Sequence, residues 1–363
     1  MAIRQRGNTW EVRVYLGKDE SGKEKRHEEG GFKSKKEAVD REIEIKNSKR
    51  KNTYIASSRL SLDTAAKQYF DTVAPNILSN YSLELAKKTY KNRFSEPLGY
   101  MNIINISTYK IQELYSKWLE SGLKGSTIKK YNTLLNRIFE SCVNWEEIAV
   151  NPCAKVTLPR LNKPKKQAWN IQEVQQFLKY SANHSYYIAY LLAIYTGMRE
   201  SEILGLTWAN TDLTGAKIQV KEQLIRTANG GVEVKKSAKT DAGERTVYLS
   251  SDLINELKIW KNQQNPSSDY VVASNKGTPV HHRNLLRSLK ALCEKSGVKY
   301  ISFHELRHTH ATLSGQLGGN VAIISERLGH KDVSTTLNFY THSNVEEHVL
   351  SAQNFSNFLK SKD

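Results

Sequence analysis

The stretch that decides the fold of this chain reads IAYLLAIYTGMRESEILGL, residues 188–206. Its apolar first half, from about Tyr186 to Ile194, predicts a buried helix. Gly197 predicts the end of that helix, because glycine readily adopts the left-handed conformation in which helices stop. Arg199 then stands at the entrance to the next predicted helix. An arginine between two apolar segments is unusual and marks a candidate functional site.

Three further polar clusters follow this stretch. They read KTDAGER at residues 239–245, HELRHTH at 304–310 and LGH at 328–330, and Tyr340 follows the last of them by ten residues. Guanidinium groups are planar, permanently charged and able to bind two oxygens, so they suit the negative charge that builds on a phosphodiester in a transition state. Arg199 and Arg307 are predicted to be two such clamps, and His330 is predicted to donate a further hydrogen bond.

The same clusters contain a nucleophile and two groups that could transfer protons. Tyr340 could attack phosphorus through its phenolic oxygen, which titrates near pH 10 and therefore needs a base or a positive field. His304 is placed in the sequence to help remove that proton, and Lys239, on a predicted turn, could protonate the leaving oxygen. No metal or other cofactor is expected, because the arginines supply the electrostatic stabilisation.

These residues resemble the tyrosine recombinase (phage-type integrase) family, whose pattern is Arg, Lys, His-x-x-Arg, His or Trp, and Tyr. The matching positions here are Arg199, Lys239, His304, Arg307, His330 and Tyr340. The resemblance implies that the phenol forms a 3′-phosphotyrosine with DNA and that a Holliday junction is resolved by a second round. It also implies a homotetramer on double-stranded attachment sites of core and arm types, with accessory DNA-bending or directionality factors possible.

The resemblance covers the whole chain and implies a multidomain fold. The expected parts are a small α+β N-terminal domain with a three-stranded sheet plus a helix, an all-α core-binding (SAM-like) domain, and a mainly α catalytic domain with a small β-sheet. The predicted boundaries are 1–55 for the arm-site DNA-binding domain, 60–155 for the core-binding domain, 156–168 for a linker and 169–363 for the catalytic domain.

Local patterns in the first half of the chain support these divisions. Residues 9–16 alternate as a strand, and Ser34 with Glu37 has the spacing of a capping box that opens a helix over 35–50. A second helix is predicted to begin at Ser126 as N-cap. Its apolar stripe consists of Ile128, Tyr131, Leu135, Ile138, Phe139 and Cys142. The basic residues predicted to contact DNA in these two domains are Arg4, Arg6, Arg13, Lys129 and Lys130.

The linker and the last domain carry their own signals. Prolines predict an extended linker, and its charge favours contact with phosphates. The lysines predicted to make that contact are Lys163, Lys165 and Lys166. Asn170 with Glu173 predicts the cap of the first catalytic-domain helix. A C-terminal tail helix is predicted from an apolar stripe of Val345, Val349, Ala352, Phe355 and Leu359.

Composition supports a nucleic-acid partner. The 363 residues include 54 Lys and Arg against 37 Asp and Glu, a net charge of +17 that is spread over all parts of the chain. No apolar run is long enough to span a bilayer and no signal peptide is visible, so we expect no membrane contact. Three scattered cysteines predict no disulfide framework. The expected location is cytoplasmic and nucleoid-associated.

The same residues are compatible with two other classes of protein. HELRH matches the zinc-binding pattern H-E-x-x-H, with Glu326 as a conceivable third ligand, and would make the chain a zinc hydrolase. A DNA-binding regulator that does not cleave would need the basic charge but not the Arg, His and Tyr set. Among DNA-cleaving enzymes, a type IB topoisomerase shares the chemistry. The N-terminal domain favours an integrase over that enzyme and over a chromosome-dimer resolvase.

Overall fold

The computed structural model of the chain describes residues 3–18, 22–50, 60–160, 167–236, 244–264 and 268–329. The chain divides into two compact units, residues 1–163 and 164–363. The first unit contains two separate apolar cores, one built around Val12 and Val14 and the other from residues of 60–158. The second unit is built on a larger core that begins at Trp169.

The N-terminal residues form an antiparallel sheet packed on one helix, as predicted. The elements are β1 (Ile3–Arg6), β2 (Thr9–Lys18), β3 (Glu24–Phe32) and α1 (Lys35–Arg50). The strand order is β1-β2-β3. Alternation along β2 directs Val12 and Val14 into a core that Ala38 and Ile45 of α1 complete. This part of the predicted fold class is therefore confirmed.

Helices make up the rest of the first unit. They are α2 (Leu62–Thr72), α3 (Ala74–Ile77), α4 (Asn80–Tyr90), α5 (Thr108–Glu120) and α6 (Gly125–Asn144), with a π-helical segment at Lys91–Gly99 and a 3₁₀ turn at Ile103–Asn105. The predicted stripe of α6 is confirmed, because it lies in the core, with Tyr131 only partly buried. The stretch after α6 also packs on this core, through Val156 and Leu158.

The predicted start of α6 is wrong by two residues. The N-cap is Lys124 rather than Ser126, and the helix begins at Gly125. Gly125 packs so tightly that a Cβ there would lie 2.9 Å from Pro159 Cβ. The first residue of the helix is therefore in contact with a residue more than 30 positions later, and a local capping signal cannot predict such a contact.

The second unit is mainly helical and carries small β elements. Its helices are α7 (Ile171–Ser181), α8 (Tyr187–Thr196), α9 (Glu200–Leu204), α10 (Ser251–Gln263), α11 (His282–Ser296), α12 (Phe303–Gln316) and α13 (Val321–Leu328). Its strands are β4 (Thr211–Asp212), β5 (Lys217–Val220), β6 (Glu222–Arg226), β7 (Val232–Lys236) and β8 (Arg245–Tyr248). Strands β4-β5-β8 form one sheet, and β6-β7 form a separate hairpin. This agrees with the mainly α domain and small sheet that were expected.

Two features hold the start of this unit. Asn170 caps α7 in the predicted capping box, with hydrogen bonds of 2.8 Å in both directions between it and Glu173. The buried Trp169 donates its backbone N–H to Thr309 Oγ1 of α12 at 3.0 Å and its indole N–H to the Lys299 carbonyl at 2.7 Å. The chain therefore enters the second unit fixed against the helix that carries His304 and Arg307. None of the helices within the described ranges is long and apolar enough to cross a membrane.

Candidate active site

Arg199 begins a short helix directly after a turn that only glycine can make. Helix α8 ends at Thr196, and Gly197 adopts a left-handed conformation with a φ of 66°. A side chain would also collide there, because a Cβ would lie 2.5 Å from Leu328 Cδ2 and 2.7 Å from His310 Cδ2. Arg199 follows as the N-cap of α9. The predicted end of the first helix at Gly197 and the predicted position of Arg199 at the entrance to the next helix are both confirmed.

Glu202 is a buried carboxylate that two arginines share. Arg199 donates from Nη1 to Glu202 Oε1 and from its backbone N–H to Oε2, both at 2.8 Å. Arg245, at the start of β8, donates to the same two oxygens at 3.0 and 2.8 Å. Burial acts to raise the pKa of Glu202, but the hydrogen bonds and charges of Arg245 and Arg199 outweigh it and hold the pKa below its usual value. The carboxylate is therefore ionised at neutral pH and fixes both guanidiniums.

Arg307 contributes a second guanidinium from α12 and is only 3% exposed. Its Nη1 donates to the Gly197 carbonyl at 2.9 Å. Its Nη2 is buried and has no acceptor in the described part of the chain. Burial, reinforced by the charge of Arg199, lowers the pKa of Arg307 to about 9, so the group stays charged at neutral pH. A buried charged donor without an acceptor is costly, and an anionic ligand would satisfy it.

The charges in this cluster do not cancel. Arg199 and Arg245 share the ionised carboxylate of Glu202, and the charge of Arg307 adds a third guanidinium to the cluster. The Arg199 side chain is 38% exposed, so a ligand from solvent can reach it, whereas the Arg245 side chain is 6% exposed. The arrangement can therefore accept an anion at Arg199 and Arg307, and the planar donors of these two groups suit phosphate oxygens.

A cavity of about 300 Å³ lies beside Arg199 and brings in the histidine predicted to act with it. His304 lines this cavity from the first turn of α12, and Arg226 from the end of β6 and His282 from the start of α11 also line it. The structure thus brings together the three predicted catalytic residues that it describes. His304 and Arg199 border one cavity, and Arg307 is hydrogen-bonded to the Gly197 carbonyl, two residues before Arg199.

Glu200 places a second carboxyl group in the same cavity. Its Oε1 is buried without a hydrogen-bond partner among the described residues. Burial raises the pKa of Glu200 to about 7, although the positive charge of Arg226 opposes part of this effect. Unlike Glu202, this carboxyl group is therefore partly protonated at neutral pH, and it cancels less of the positive charge around Arg199.

Replacing Glu200 by glutamine is expected to stabilise the fold at pH 8 much more than at pH 5. The folded pKa of about 7 lies above the ordinary 4.5, so this group favours folding at low pH and loses that contribution as the pH rises through 7. Glutamine stays neutral throughout. A shift of this size corresponds to at most about 3 kcal/mol, and we expect about 1–2 kcal/mol after screening by solvent.

Thermal unfolding of the full chain at the two pH values measures this difference. The exposed Glu294 provides a matched control as Glu294→Gln, for which no pH-dependent gain is expected. Equal changes for Glu200→Gln at pH 5 and pH 8 would contradict the assignment.

The H-E-x-x-H residues are engaged in other ways. Glu305 accepts the N–H and hydroxyl of Ser302 at 2.7 and 2.8 Å and the N–H of Gln167 at 3.2 Å, so it caps α12. The His304 and His308 rings meet edge to face, with centroids 5.5 Å apart. Within the described ranges, no three His, Cys, Asp or Glu side chains are grouped so that they could hold a metal ion. The donor set therefore gives no support to the zinc interpretation.

His310 is held within the protein interior. It is 8% exposed, and its Nδ1 lies 2.8 Å from the Ile194 carbonyl oxygen. Because a carbonyl can only accept, Nδ1 carries the hydrogen. Burial lowers the pKa of His310 to about 4 despite this hydrogen bond. The neutral ring thus joins α12 to α8 behind Gly197.

The structure places the three N-terminal arginines on one face of the sheet. Arg4 and Arg6 pair with Glu11 at 2.8 and 3.6 Å, and Arg13 pairs with Glu28 at 2.6 Å. Arg4 and Arg6 on β1 and Arg13 on β2 alternate with the residues that pack on the core, so the arginines lie on the face away from α1. Each already has a carboxylate partner, which a DNA phosphate would have to displace or share.

The other predicted positions are described only in part. Lys129 and Lys130 are exposed on α6, off its apolar stripe. Several residues lie outside the described ranges, and their roles stay predictions from the sequence: Lys163, Lys165, Lys166, Lys239, His330 and Tyr340. The predicted tail helix also falls outside these ranges.

Sequence reasoning missed two residues of the cluster. Glu202 has an i,i+3 spacing from Arg199, which is the signal that could have identified it. Arg245 ends the polar cluster at residues 239–245, but no local signal indicates that its partner lies 43 residues earlier. Arg226 and His282 carried no signal, because only the tertiary fold brings them to the cavity.

The chain is similar in sequence to known proteins over most of its length. The profile of the Phage integrase family matches residues 168–347, and that of the Arm DNA-binding domain matches residues 2–49. A relative named Tyrosine recombinase XerC-like, from Caldanaerobacter subterraneus subsp. tengcongensis, is 30% identical over 361 residues, covering 92% of each chain. The ICEBs1 integrase of Bacillus subtilis is 26% identical over 320 residues, covering 85% of this chain and 86% of that protein.

Solved structures share the fold. The Tn1549 transposon integrase in complex with transposon right end DNA matches with a TM-score of 0.70 at 20% identity, covering 82% of this chain and 100% of that one. A lambda integrase dimer bound to a COC' core site matches with a TM-score of 0.62 at 16% identity, covering 94% and 96%. The expected fold class is confirmed, and the zinc hydrolase and the non-cleaving regulator gain no support. The chain therefore belongs to the tyrosine recombinases of the phage integrase family, enzymes that cleave and rejoin DNA.

Proposed function

We propose that the chain is the integrase of a phage or an integrative mobile element, and that it recombines two double-stranded attachment sites through a 3′-phosphotyrosine and a Holliday junction. The observation that carries this proposal is the buried Nη2 of Arg307, which lacks an acceptor in the described part of the chain and interacts with Arg199. A DNA phosphate would supply the missing acceptor. Transition-state charge on its nonbridging oxygens would then be held by two fixed guanidiniums.

Tyr340 is the proposed nucleophile. Its phenolic oxygen attacks phosphorus, a P–O bond to tyrosine forms, and the bond from phosphorus to the 5′ oxygen breaks. His304 accepts the phenolic proton, and Lys239 protonates the departing 5′ oxygen. One phosphodiester bond replaces another, so the released 5′-hydroxyl of a partner strand can reverse the step without ATP.

The remaining site residues act on the phosphate. Arg199 and Arg307 bind its nonbridging oxygens, and His330 donates a further hydrogen bond. The fixed Arg199–Glu202 and Arg307–Gly197 contacts support this assignment, because donors that are already oriented need no rearrangement as charge develops.

Each domain of the chain has a proposed role on DNA. We assign residues 1–55 to arm-type sites, 60–155 to core-type sites, 156–168 to a linker along phosphates and 169–363 to catalysis. Separate apolar cores support the three domains, although Val156 and Leu158, at the start of the proposed linker, pack on the core of the second one. Arg6, with 73% of its side chain exposed, is the best placed of the three sheet arginines to bind a phosphate.

We infer that the active assembly is a homotetramer on DNA. A structural neighbour with a TM-score of 0.61 is a lambda integrase tetramer bound to a Holliday junction. Exchange of strands between two duplexes requires four cleavages, one for each active site of such an assembly. Accessory DNA-bending or directionality factors, and a cytoplasmic location with the nucleoid where this substrate lies, stay predictions.

A covalent trapping experiment tests the proposal. Genomic fragments of the source organism are incubated with the full chain, and those retained on the protein after denaturation in detergent are sequenced to find the site. The same site is then made as a nicked duplex, from which the short 5′-hydroxyl fragment diffuses away, so that the 3′-phosphotyrosine accumulates. We expect a DNA–protein adduct whose yield EDTA does not change.

Each competing function gives a different result. A zinc hydrolase releases cleaved DNA without an adduct and is inhibited by EDTA, and a regulator binds without cleavage. A type IB topoisomerase forms the adduct but relaxes supercoils without joining two sites. Recombinant product from two attachment sites therefore distinguishes the integrase from all three.

Removal of the predicted tail helix is expected to weaken tetramers on DNA while leaving binding to one site unchanged. The stripe that begins at Val345 has the spacing of a helix packed on a neighbour. Truncation before Val345 is compared with Phe355→Asp on the stripe and Asn354→Asp beside it, as a control of equal charge. Native gel electrophoresis with one and two sites measures both steps. Unchanged tetramers after truncation would refute the assignment.

A further inference from the structure

We propose that Arg245 is a positioning residue for strand cleavage: it fixes the carboxylate of Glu202 and, through it, the guanidinium of Arg199. The inference rests on the proposed function, because it takes Arg199 as a phosphate clamp. It concerns a residue for which the family resemblance predicted no role.

All three guanidinium nitrogens of Arg245 are used inside the protein. Nη1 and Nη2 donate to the two oxygens of Glu202 at 3.0 and 2.8 Å, and Nε donates to the Arg327 carbonyl at 2.7 Å. Three of its five N–H groups are used in this way, and with 6% of its side chain exposed Arg245 is shielded from DNA. Arg199 shares the same carboxylate but is 38% exposed. Arg199 is therefore the residue that can bind the ligand, and Arg245 can act only through it.

Arg245 also joins three elements of the site. Its own strand is β8, Glu202 lies on α9, and Arg327 is in the last turn of α13. The final carbonyls of a helix lack partners within the helix, and cations near them are favourable. Arg199 uses the same helix end, since its Nη2 donates to the Gly329 carbonyl at 2.9 Å. The two arginines thus fix the end of α13 immediately before position 330.

Loss of Arg245 would change how Arg199 is held. Glu202 would keep its negative charge but lose two of its hydrogen bonds, and Arg199 would remain as its one guanidinium partner. Arg199 would then be drawn into a closer ion pair with Glu202 and away from the phosphate. The excess positive charge of the cluster would also fall by one. Both effects weaken binding of the transition state more than binding of DNA, which has many other phosphate contacts.

The test compares Arg245→Met with the unchanged chain on two nicked substrates. One has an ordinary scissile phosphate, and the other has a methylphosphonate, in which a methyl group replaces one nonbridging oxygen and removes the negative charge. We expect cleavage of the phosphate to slow about 10–100-fold, as small misplacement of a catalytic group does. Cleavage of the neutral methylphosphonate, which needs less guanidinium stabilisation, should slow less than about threefold. DNA affinity should change by less than about threefold.

A merely structural role predicts another pattern. Both substrates would then slow by the same factor, and this result would overturn the proposal. Lys217→Met, which removes a positive charge from the neighbouring strand β5 without touching Glu202, is the matched control and should leave both rates unchanged. If Arg245→Met does not fold, Arg245→Lys is used instead. Lysine keeps the charge but cannot donate to both oxygens of Glu202 at once, and the same comparison of the two substrates applies.

A double variant gives a second, independent readout. Because Arg245 acts through Arg199, Arg199→Lys with Arg245→Met should cleave the ordinary phosphate no more slowly than Arg199→Lys alone. Multiplying losses would overturn the proposal. A 5′-bridging phosphorothiolate, whose sulfur leaves without a proton, gives a third arm. Full recovery of Arg245→Met on it would assign the defect to the proton donor instead of Arg199.

Failure of the proposed function is distinguishable from failure of this inference. If the unchanged chain forms no adduct on the ordinary phosphate, the recombinase function itself is refuted. If it forms the adduct and Arg245→Met forms it at the same rate, only the role of Arg245 is refuted.

Discussion

Replacing Tyr340 by phenylalanine is expected to abolish the covalent adduct on nicked DNA and to leave DNA binding unchanged. The substitution removes one hydroxyl oxygen, which is the atom proposed to bond to phosphorus, and preserves the ring. Loss of a nucleophile typically lowers turnover by at least about 10⁴-fold, so the adduct should fall below detection. Denaturing gel electrophoresis of labelled DNA measures the adduct, and a mobility shift measures binding.

A second tyrosine provides the control for this experiment. Tyr248 lies on β8 and is 67% exposed, so Tyr248→Phe makes the same chemical change in the same unit and should keep the full yield of adduct. An adduct that persists in Tyr340→Phe would mean that another side chain attacks the phosphate. The family assignment would then survive, but the assignment of Tyr340 would not.

Replacing Arg307 by lysine is expected to slow cleavage by about 10²–10³-fold, the usual cost of losing one fixed donor to a developing oxyanion. Lysine keeps the positive charge but not the planar fork, so it cannot donate to Gly197 and to a phosphate oxygen in the geometry of Nη1 and Nη2. The effect should appear in the rate of adduct formation at saturating protein. DNA affinity should fall much less, because one phosphate contact among many is altered.

Two control measurements test whether slower cleavage comes from the site, and not from the Arg-to-Lys exchange in general or from loss of folding. Arg287→Lys makes the same exchange at an exposed arginine of α11 and should cleave normally. Thermal unfolding of Arg307→Lys should stay close to that of the unchanged chain, because the buried charge is retained. A cleavage rate unchanged by Arg307→Lys would remove Arg307 from the site, and with it the observation on which the proposed function rests.

Much of the fold could be predicted because its signals are local. The capping box of Asn170 and Glu173 joins residues three positions apart, and the stripe of α6 repeats every three or four residues. Interactions of this range form within one or two helical turns and so are written in consecutive residues. The contact between Gly125, at the start of α6, and Pro159 could not be predicted, since the two residues meet only after the chain has folded back.

The candidate site also has a part that the sequence predicts and a part that only the folded chain brings together. The order and types of Arg199, His304 and Arg307 marked phosphate chemistry from the sequence, because the reaction restricts which side chains can serve. The partners that lie far away in the sequence could not be predicted. The bond from Arg307 to the Gly197 carbonyl spans 110 positions and that from Arg245 to Glu202 spans 43.

By itself, the sequence determined the family, the kind of fold and the residue types that are proposed to act on a phosphate. The tertiary structure decided which arginine is exposed to a ligand and which is buried behind it. Arg199 and Arg245 are the same residue type on the same carboxylate, and nothing in the sequence shows that they share it. Exposure does distinguish them, and it is set by packing among α9, β8 and α13, which are far apart in sequence. Burial and long-range pairing are properties of the folded chain, because they depend on what surrounds a side chain in space.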